Sequence, residues 1–216
     1  ENDGGVDWTT IASSLSGTEV RKKNLTSAKG YQFRVRPSGG VDAGPFSPPS
    51  EVVVGRALSD GMRRLFADLG GDGTLLRGGT RRGISLDDAL AGKEFVLLYA
   101  SAHWCGPCRQ FTPQLANYYK AMNPQTAGGS GEGGSAVEVV FLSADHDEGS
   151  FLSYFSSMPW LAVPYDSDAR ESLMGFIRVS GIPRLCVLDG KTGRILEDNA
   201  VGKPLDVGRW RRLAGR

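Results

Sequence analysis

The sequence predicts an α/β layer fold preceded by an all-β segment, and three observations carry that prediction. Beyond Phe95, short apolar runs alternate with longer amphipathic ones, as strands alternate with helices in a layered domain. Residues 1–55 are instead rich in Ser, Thr, Gly and Val, with strand-like runs separated by turn-formers. Between Arg56 and Thr80 the texture changes, which places the boundary near Arg56 to Asp60. Residues 1–56 are thus expected as one domain, 57–64 as a linker and 65–216 as the α/β domain.

Taken in order, the runs of the first domain are Thr18 to Leu25, Tyr31 to Arg36 and Glu51 to Val54. In Tyr31-Gln-Phe-Arg-Val-Arg apolar and polar residues alternate, so Tyr31, Phe33 and Val35 should face a core while Gln32, Arg34 and Arg36 face water. Leu25 six residues before Tyr31, the Phe33-Arg-Val35 run, a Gly-rich turn and Phe46-Ser-Pro-Pro-Ser-Glu together resemble the second half of a fibronectin type III domain. That resemblance implies that Tyr31 is the tyrosine corner and that the sandwich, lacking its opening strands, is incomplete.

In the second domain Leu58 to Leu69 reads as a short amphipathic helix, broken by Gly70-Gly71-Asp72-Gly73. Then come a strand from Phe95 to Ala102, a helix from Cys108 to Met122, a strand from Val137 to Ser143 and helices from Gly149 to Phe155 and Arg170 to Phe176. Strands from Leu185 to Asp189 and Arg194 to Leu196 and a helix from about Asp206 complete the order. The stretch 123–136 has the Gly/Ser composition of a flexible, disordered surface loop. It contains Gly129-x-Gly131-x-x-Gly134, but that dinucleotide fingerprint works only between a strand and a helix N-terminus. Here a Pro-containing loop precedes it and a strand follows, so no nucleotide cofactor is expected to be bound.

Lys and Arg number 25 against 24 Asp and Glu, a formal net charge of +1, which gives no footprint for nucleic acid or an acidic membrane. The longest apolar runs fall far short of the roughly 20 residues a bilayer span needs and read as buried strands. The start, Glu-Asn-Asp-Gly-Gly, has no initiator Met and no leader pattern, and reads as part of a longer protein. Cys105, Cys108 and Cys186 are too few for a disulfide scaffold and point to a reducing compartment, the cytoplasm with the nucleus open. Asn24-Leu25-Thr26 matches the glycosylation triplet, which is common by chance.

The chemistry concentrates in Trp104-Cys105-Gly106-Pro107-Cys108. A disulfide needs its Cβ atoms roughly 3.8 Å apart, and two intervening residues at a helix start bring cysteines that close. At such a helix start, unpaired N–H groups and the macrodipole favour a thiolate, which makes Cys105 the nucleophile. Pro107 suits a first turn because it brings no N–H, and Gly106 lets a substrate backbone approach. Cys108, one turn further in, is shielded and attacks a mixed disulfide from within. Trp104 flanks the pair as an apolar platform. Two competing readings are half a zinc site and a pair of incidental thiols. Zinc would need four ligands, and only Cys186, His103 and His146 remain, so no metal is expected.

With a helix containing Pro113 and, much later, Gly181-Ile182-Pro183 before a strand, Trp104-Cys-Gly-Pro-Cys-Arg109 resembles the thioredoxin superfamily over roughly Leu65 to Trp210. Ser101 to Leu115 and Met158-Pro-Trp-Leu-Ala-Val-Pro164 are most similar to nucleoredoxins and tryparedoxins. The resemblance implies a thioredoxin fold, a central mixed β-sheet flanked by helices. It also implies that Pro183 is a cis proline facing the cysteine pair and that the Ile182 backbone pairs with a substrate strand, beside Trp104. Two positions depart from the pattern. Gly106-Pro107 stands where nucleoredoxins usually carry two prolines. Tyr99, six residues before Cys105, stands where thioredoxins keep a buried Asp, so the Cys108 proton must leave through water or another group.

Other residues are read structurally. Cys186, inside Leu185-Cys-Val-Leu188, is expected to be buried and inert. Asp145-His146-Asp147-Glu148, between a strand and a helix, supplies caps rather than metal ligands. Arg109 could hold Cys105 ionised or simply be solvated, and Arg209, Arg211, Arg212 and Arg216 are read as solvated. The function expected is a protein-disulfide reductase acting on disulfide-containing proteins. Its electrons would come from an external NADPH-dependent reductase or a low-molecular-weight thiol, and the fibronectin-like half would serve docking. A non-catalytic redox-sensing or protein-interaction module is the alternative. A peroxidase would need a peroxidatic Cys in a different setting.

Overall fold

The computed structural model describes residues 8–13, 30–37, 44–51, 53–54, 57–69, 73–78, 81–123 and 136–216. The run Thr18 to Leu25, the Asn24 triplet and the glycine motif at 129–134 lie outside them. The chain divides into two compact units, Glu1–Arg56 and Ala57–Arg216.

In the first unit β1 (Gly30–Tyr31) pairs antiparallel with β2 (Val53–Val54), Tyr31 opposite Val53. The pairing is continued by Ser50 N–H to the Phe33 carbonyl at 2.8 Å and Ser47 N–H to the Val35 carbonyl at 2.7 Å. The expected alternation is corrected here, because Val35 is 65% exposed while Arg34 is half-buried. The Arg34 guanidinium lies 4.0 Å from the Trp8 ring and 4.3 Å from the Phe46 ring, and a flat, weakly hydrated cation fits between aromatic faces better than in water.

The second unit is a seven-stranded mixed sheet in the order β4-β3-β7-β6-β5-β8-β9. The strands are β3 (Thr74–Arg77), β4 (Gly83–Ser85), β5 (Phe95–Ser101), β6 (Val137–Ser143), β7 (Leu161–Ala162), β8 (Arg184–Asp189) and β9 (Ile195–Glu197). The helices are α1 (Asp60–Leu65), α2 (Leu86–Leu90), α3 (Gly106–Met122), α4 (Glu148–Phe155), α5 (Ala169–Phe176) and α6 (Val207–Leu213). At the centre β5 runs parallel to β6 and antiparallel to β8. Every residue of β5 is buried because both faces are covered. Val96, Leu98 and Ala100 pack with Met62, Phe66, Leu173 and Ile177 on one side. Phe95, Leu97 and Tyr99 pack with Leu115, Phe151, Phe155 and Trp210 on the other. This is the thioredoxin fold, with its mixed sheet between helices.

Residues 57–64, expected as a linker, lie within this unit. Leu58 and Met62 are buried in its core, and the Ser59 hydroxyl both caps α1 and donates to the Gly190 carbonyl at 3.1 Å. Of the arginines read as solvated, Arg212 is 72% exposed as expected, while Arg209, Arg211 and Arg216 keep part of their exposure and also pair with buried and half-buried carboxylates at the end of the sheet. Arg211 grips Glu94 with two bonds of 2.7 and 2.9 Å, Arg209 reaches Glu197 at 3.2 Å, and Arg216 pairs with Asp189. Glu94 is held below the usual carboxylate range, first by the bond from Arg211.

Candidate functional site

The site lies at one end of the sheet, where the chain leaves β5 and β6 and enters β8. In the antiparallel register of β5 with β8, Tyr99 faces Leu185 and Ala100 faces Arg184. Continuing that register past the strand ends carries the Cys105 loop and the Ile182–Pro183 segment toward each other. Ala102, Cys105 and Cys108 form a small apolar cluster against which Ala144 and Ile182 pack. Residues 77 apart in sequence meet there, with Cys105 Sγ 3.7 Å from the Ile182 carbonyl oxygen.

Cys105 is the N-cap of α3, extended at φ −82° and ψ 111°, and its Sγ accepts the Cys108 N–H at 3.2 Å. The helix starts one residue later, at Gly106, with Pro107 in its first turn, where the absent N–H costs nothing. Cys105 and Cys108 are joined as a disulfide with Cα atoms 5.2 Å apart. Cys105 is 5% exposed and Cys108 fully buried, so the pair has an outer and an inner sulfur. The Ile182–Pro183 peptide is cis, and among the described residues the Ile182 N–H has no acceptor. Trp104, Cys105, Gly106, Pro107, Cys108, Ile182 and Pro183 all belong to this end of the sheet. Arg109 contributes a backbone bond to the Cys105 carbonyl at 3.1 Å, and its side chain is exposed.

Two loops are stitched together beside the pair. His103 N–H donates to Asp145 Oδ1 and Ser143 Oγ–H to Asp145 Oδ2, each at 2.7 Å. Ala144 N–H donates to the Ser101 carbonyl at 2.9 Å. The Trp104 ring, 54% exposed, donates through Nε1 to the Ala144 carbonyl at 3.2 Å and stacks on His146 at 5.5 Å with 7° between planes. Of the acidic run, Asp147 caps α4 by accepting Ser150 N–H at 2.8 Å, whereas Asp145 is a buried brace.

Tyr99 belongs to a chain of hydroxyls that ends at the Cys108 carbonyl. Thr112 Oγ1 is 3.0 Å from the Cys108 carbonyl, 2.7 Å from Tyr99 Oη and 2.6 Å from Tyr154 Oη, which is in turn 3.2 Å from Ser101 Oγ. Burial pushes the Tyr99 phenol far above its usual range, so it stays protonated. Asp145, Thr112 and Tyr154 were not singled out from sequence individually, and their one shared signal is a position just after or facing the strands that carry the cysteines. Cys186 is buried in β8 and burial pushes its thiol up to about 12. Among the described residues no group of three or more His, Cys, Asp and Glu could hold a metal ion, and no helix is long and apolar enough to cross a membrane.

Residues 92–195 match the model of the family described as thioredoxin-like. A probable nucleoredoxin 1 of Arabidopsis thaliana is 43% identical over 111 residues, 51% of this chain and 18% of the plant protein. The tryparedoxin of Trypanosoma brucei brucei is 39% identical over 113 residues, 52% of this chain and 72% of that protein. A solved tryparedoxin II, complexed with glutathionylspermidine, superposes with a TM-score of 0.54 at 31% identity, covering 66% of this chain and 88% of that one. The chain therefore spans less than a fifth of the plant nucleoredoxin and most of a tryparedoxin.

Proposed function

We propose that this chain, which belongs to the thioredoxin-like family, is a protein-disulfide reductase in which Cys105 is the attacking thiolate and Cys108 the resolving thiol. The observation that carries the reading is the position of Cys105 Sγ, on the helix N-cap, accepting the Cys108 N–H and lying against the Ile182 carbonyl. In the dithiol form the N-terminal N–H groups and the dipole of α3 favour a Cys105 thiolate.

Cys105 then attacks one sulfur of a substrate disulfide, the other substrate sulfur leaves as a thiolate and takes a proton, and a mixed disulfide forms. Cys108 gives up its proton and attacks the Cys105 sulfur. The second substrate thiolate leaves, and two electrons have passed to the substrate. What remains is the Cys105–Cys108 disulfide, which an external NADPH-dependent reductase or a low-molecular-weight thiol returns to the dithiol. The glutathionylspermidine bound to a tryparedoxin II supports a thiol of the second kind. Trp104 and the Ile182–Pro183 backbone form the substrate surface, the free Ile182 N–H offering a bond to an extended substrate strand.

The same reading takes disulfide-containing proteins as partners and a reducing compartment, the cytoplasm or nucleus, as the setting. It takes residues 1–56 as an incomplete fibronectin type III-like docking half, a reading that rests on the sequence resemblance. Cys108→Ser is the test. The full chain carrying it should capture insulin as a mixed disulfide that dithiothreitol releases, while Cys105→Ser captures none. Absence of an adduct with Cys108→Ser would overturn the proposal.

A further inference from the structure

Arg184 follows Pro183 directly and opens β8. Its side chain, 12% exposed, turns back across the base of the loop that leads into Pro183. Nε donates to the Ile177 carbonyl at 2.6 Å, and Nη2 donates to Asp198 Oδ1 at 2.7 Å. Ile177 is the C-cap of α5, where carbonyls have no helical donor and the dipole favours a cation. Asp198 stands just beyond β9. One planar guanidinium thus ties the helix end before the loop to the chain beyond β9, and the loop itself spans 178–183.

The loop begins at the helix end that Arg184 grips. Arg178 sits at φ +50°, in the left-handed region that residues with a Cβ rarely adopt. Arg178 N–H bonds the Gly175 carbonyl and Val179 N–H the Met174 carbonyl, both at 3.0 Å, which closes the end of α5 in the left-handed manner usual at a helix C-terminus. Side chains of Val179 and Ile182 are only partly buried against the core. That cap fixes where the loop starts, and at its base Arg184 is the charged contact, through the Ile177 carbonyl and the Asp198 carboxylate.

We propose that Arg184 is the positioning residue of the substrate-pairing segment, clamping the Ile177 carbonyl and the Asp198 carboxylate so that the Ile182 backbone is held beside Cys105 Sγ. The inference rests on the proposed reductase reading for its consequence, since a pre-placed Ile182 backbone lowers the ordering cost of pairing a protein substrate. A small disulfide that makes no strand pairing needs only the cysteines. Arg184 is therefore expected to matter for the first kind of substrate and not for the second.

The test compares the full chain with Arg184→Met, which keeps the apolar stem, Arg184→Lys, which keeps the charge without the fork, and Asp198→Asn. Losing the charge-assisted bond to Ile177 should raise KM for insulin about tenfold in Arg184→Met. The Cys105–Cys108 midpoint potential and the turnover of hydroxyethyl disulfide should stay at parental values. Arg184→Lys should fall between, and Asp198→Asn, which removes the charge of a carboxylate 69% exposed, should raise KM less than Arg184→Met does. Amide exchange at Val179 and Ile182 should quicken in Arg184→Met. A parental KM and parental exchange in a folded Arg184→Met would overturn the clamp, and so would an equal loss on insulin and hydroxyethyl disulfide. If the parent itself fails to reduce insulin, the reductase reading falls, while the exchange comparison still decides whether Arg184 holds the loop.

Discussion

The hydroxyl chain that ends at the Cys108 carbonyl fixes the role of Thr112, and a mutation can test it. The Cys108 carbonyl can only accept, so the single Thr112 hydroxyl proton goes there. Tyr99 and Tyr154 then both donate to Thr112 Oγ1, and Ser101 donates to Tyr154 or to Tyr99. Thr112→Val is close in shape and helix propensity, yet it removes the acceptor of two buried phenols at once. An orphaned buried hydroxyl costs about 1–3 kcal/mol, which for two phenols puts Thr112→Val at about 2–6 kcal/mol. Tyr99→Phe removes one donor and leaves Thr112 Oγ1 with Tyr154, at a cost of about 1 kcal/mol. Tyr154→Phe removes the other donor, and since Ser101 keeps Tyr99 as a partner its cost should be close to that of Tyr99→Phe. The assay is urea unfolding of the oxidised protein followed by far-UV circular dichroism, which reports the second unit, where the described helices lie. For a domain of this size about 1 kcal/mol corresponds to about 2–4 °C in Tm, so the ordering is measurable by heat as well. If Thr112→Val costs no more than Tyr99→Phe, the two phenols do not share the Thr112 oxygen and the argument is wrong.

Three further outcomes are expected. Asp145→Ala strands the His103 N–H and the Ser143 hydroxyl and should cost about 3 kcal/mol, with insulin turnover down about tenfold because His103 is two residues from Cys105. Parental turnover in that variant would show that the brace does not position the nucleophile. Asp147 is exposed, and the Ser150 backbone N–H and then its hydroxyl hold its carboxyl below the ordinary 3.8. Since the folded value is depressed, the cap stabilises above the unfolded value and is lost as pH falls through the folded one. Titration of its carboxyl carbon by NMR should show a midpoint below 3.8, and a midpoint at or above it would refute the capping account. Cys186, its thiol raised to about 12 by burial, should escape iodoacetamide at pH 8 in the reduced native protein and react only after unfolding. Native labelling of Cys186 as fast as Cys105 would contradict that burial.

What the sequence made legible is what is local. β5, β6 and β8 appear as unbroken apolar runs because both faces of a central strand are covered. α3 and α4 carry their own start signals, in Cys105 with Pro107 and in Asp147. β7 is two residues long, and β3 with β4 is a short hairpin among glycines, so only pairing with distant strands makes them strands at all. The α1 segment was readable as an amphipathic helix. Its allegiance to the second unit was not, because that depends on contacts such as Ser59 with Gly190, 131 residues away. The carboxylate partners of the α6 arginines were illegible for the same reason, since Glu94 lies 117 residues from Arg211.

The site divides along the same line, and the division bears on what makes a dithiol an enzyme. Two cysteines three apart at a helix start are a local feature and could be built at the head of many helices. The Ile182 backbone beside Cys105 depends on register. β8 must run antiparallel to β5 with Tyr99 opposite Leu185, and a slip of one residue would turn every β8 side chain to the other face. Leu185 and Val187 would then leave the cluster of Phe95 and Tyr99, and Cys186 and Leu188 the opposite one, a loss that both cores oppose. Core packing on the two faces of the sheet thus sets the approach of Ile182 to the nucleophile. Arg184, the first residue of β8, refines that placement from the point where register ends and the loop begins.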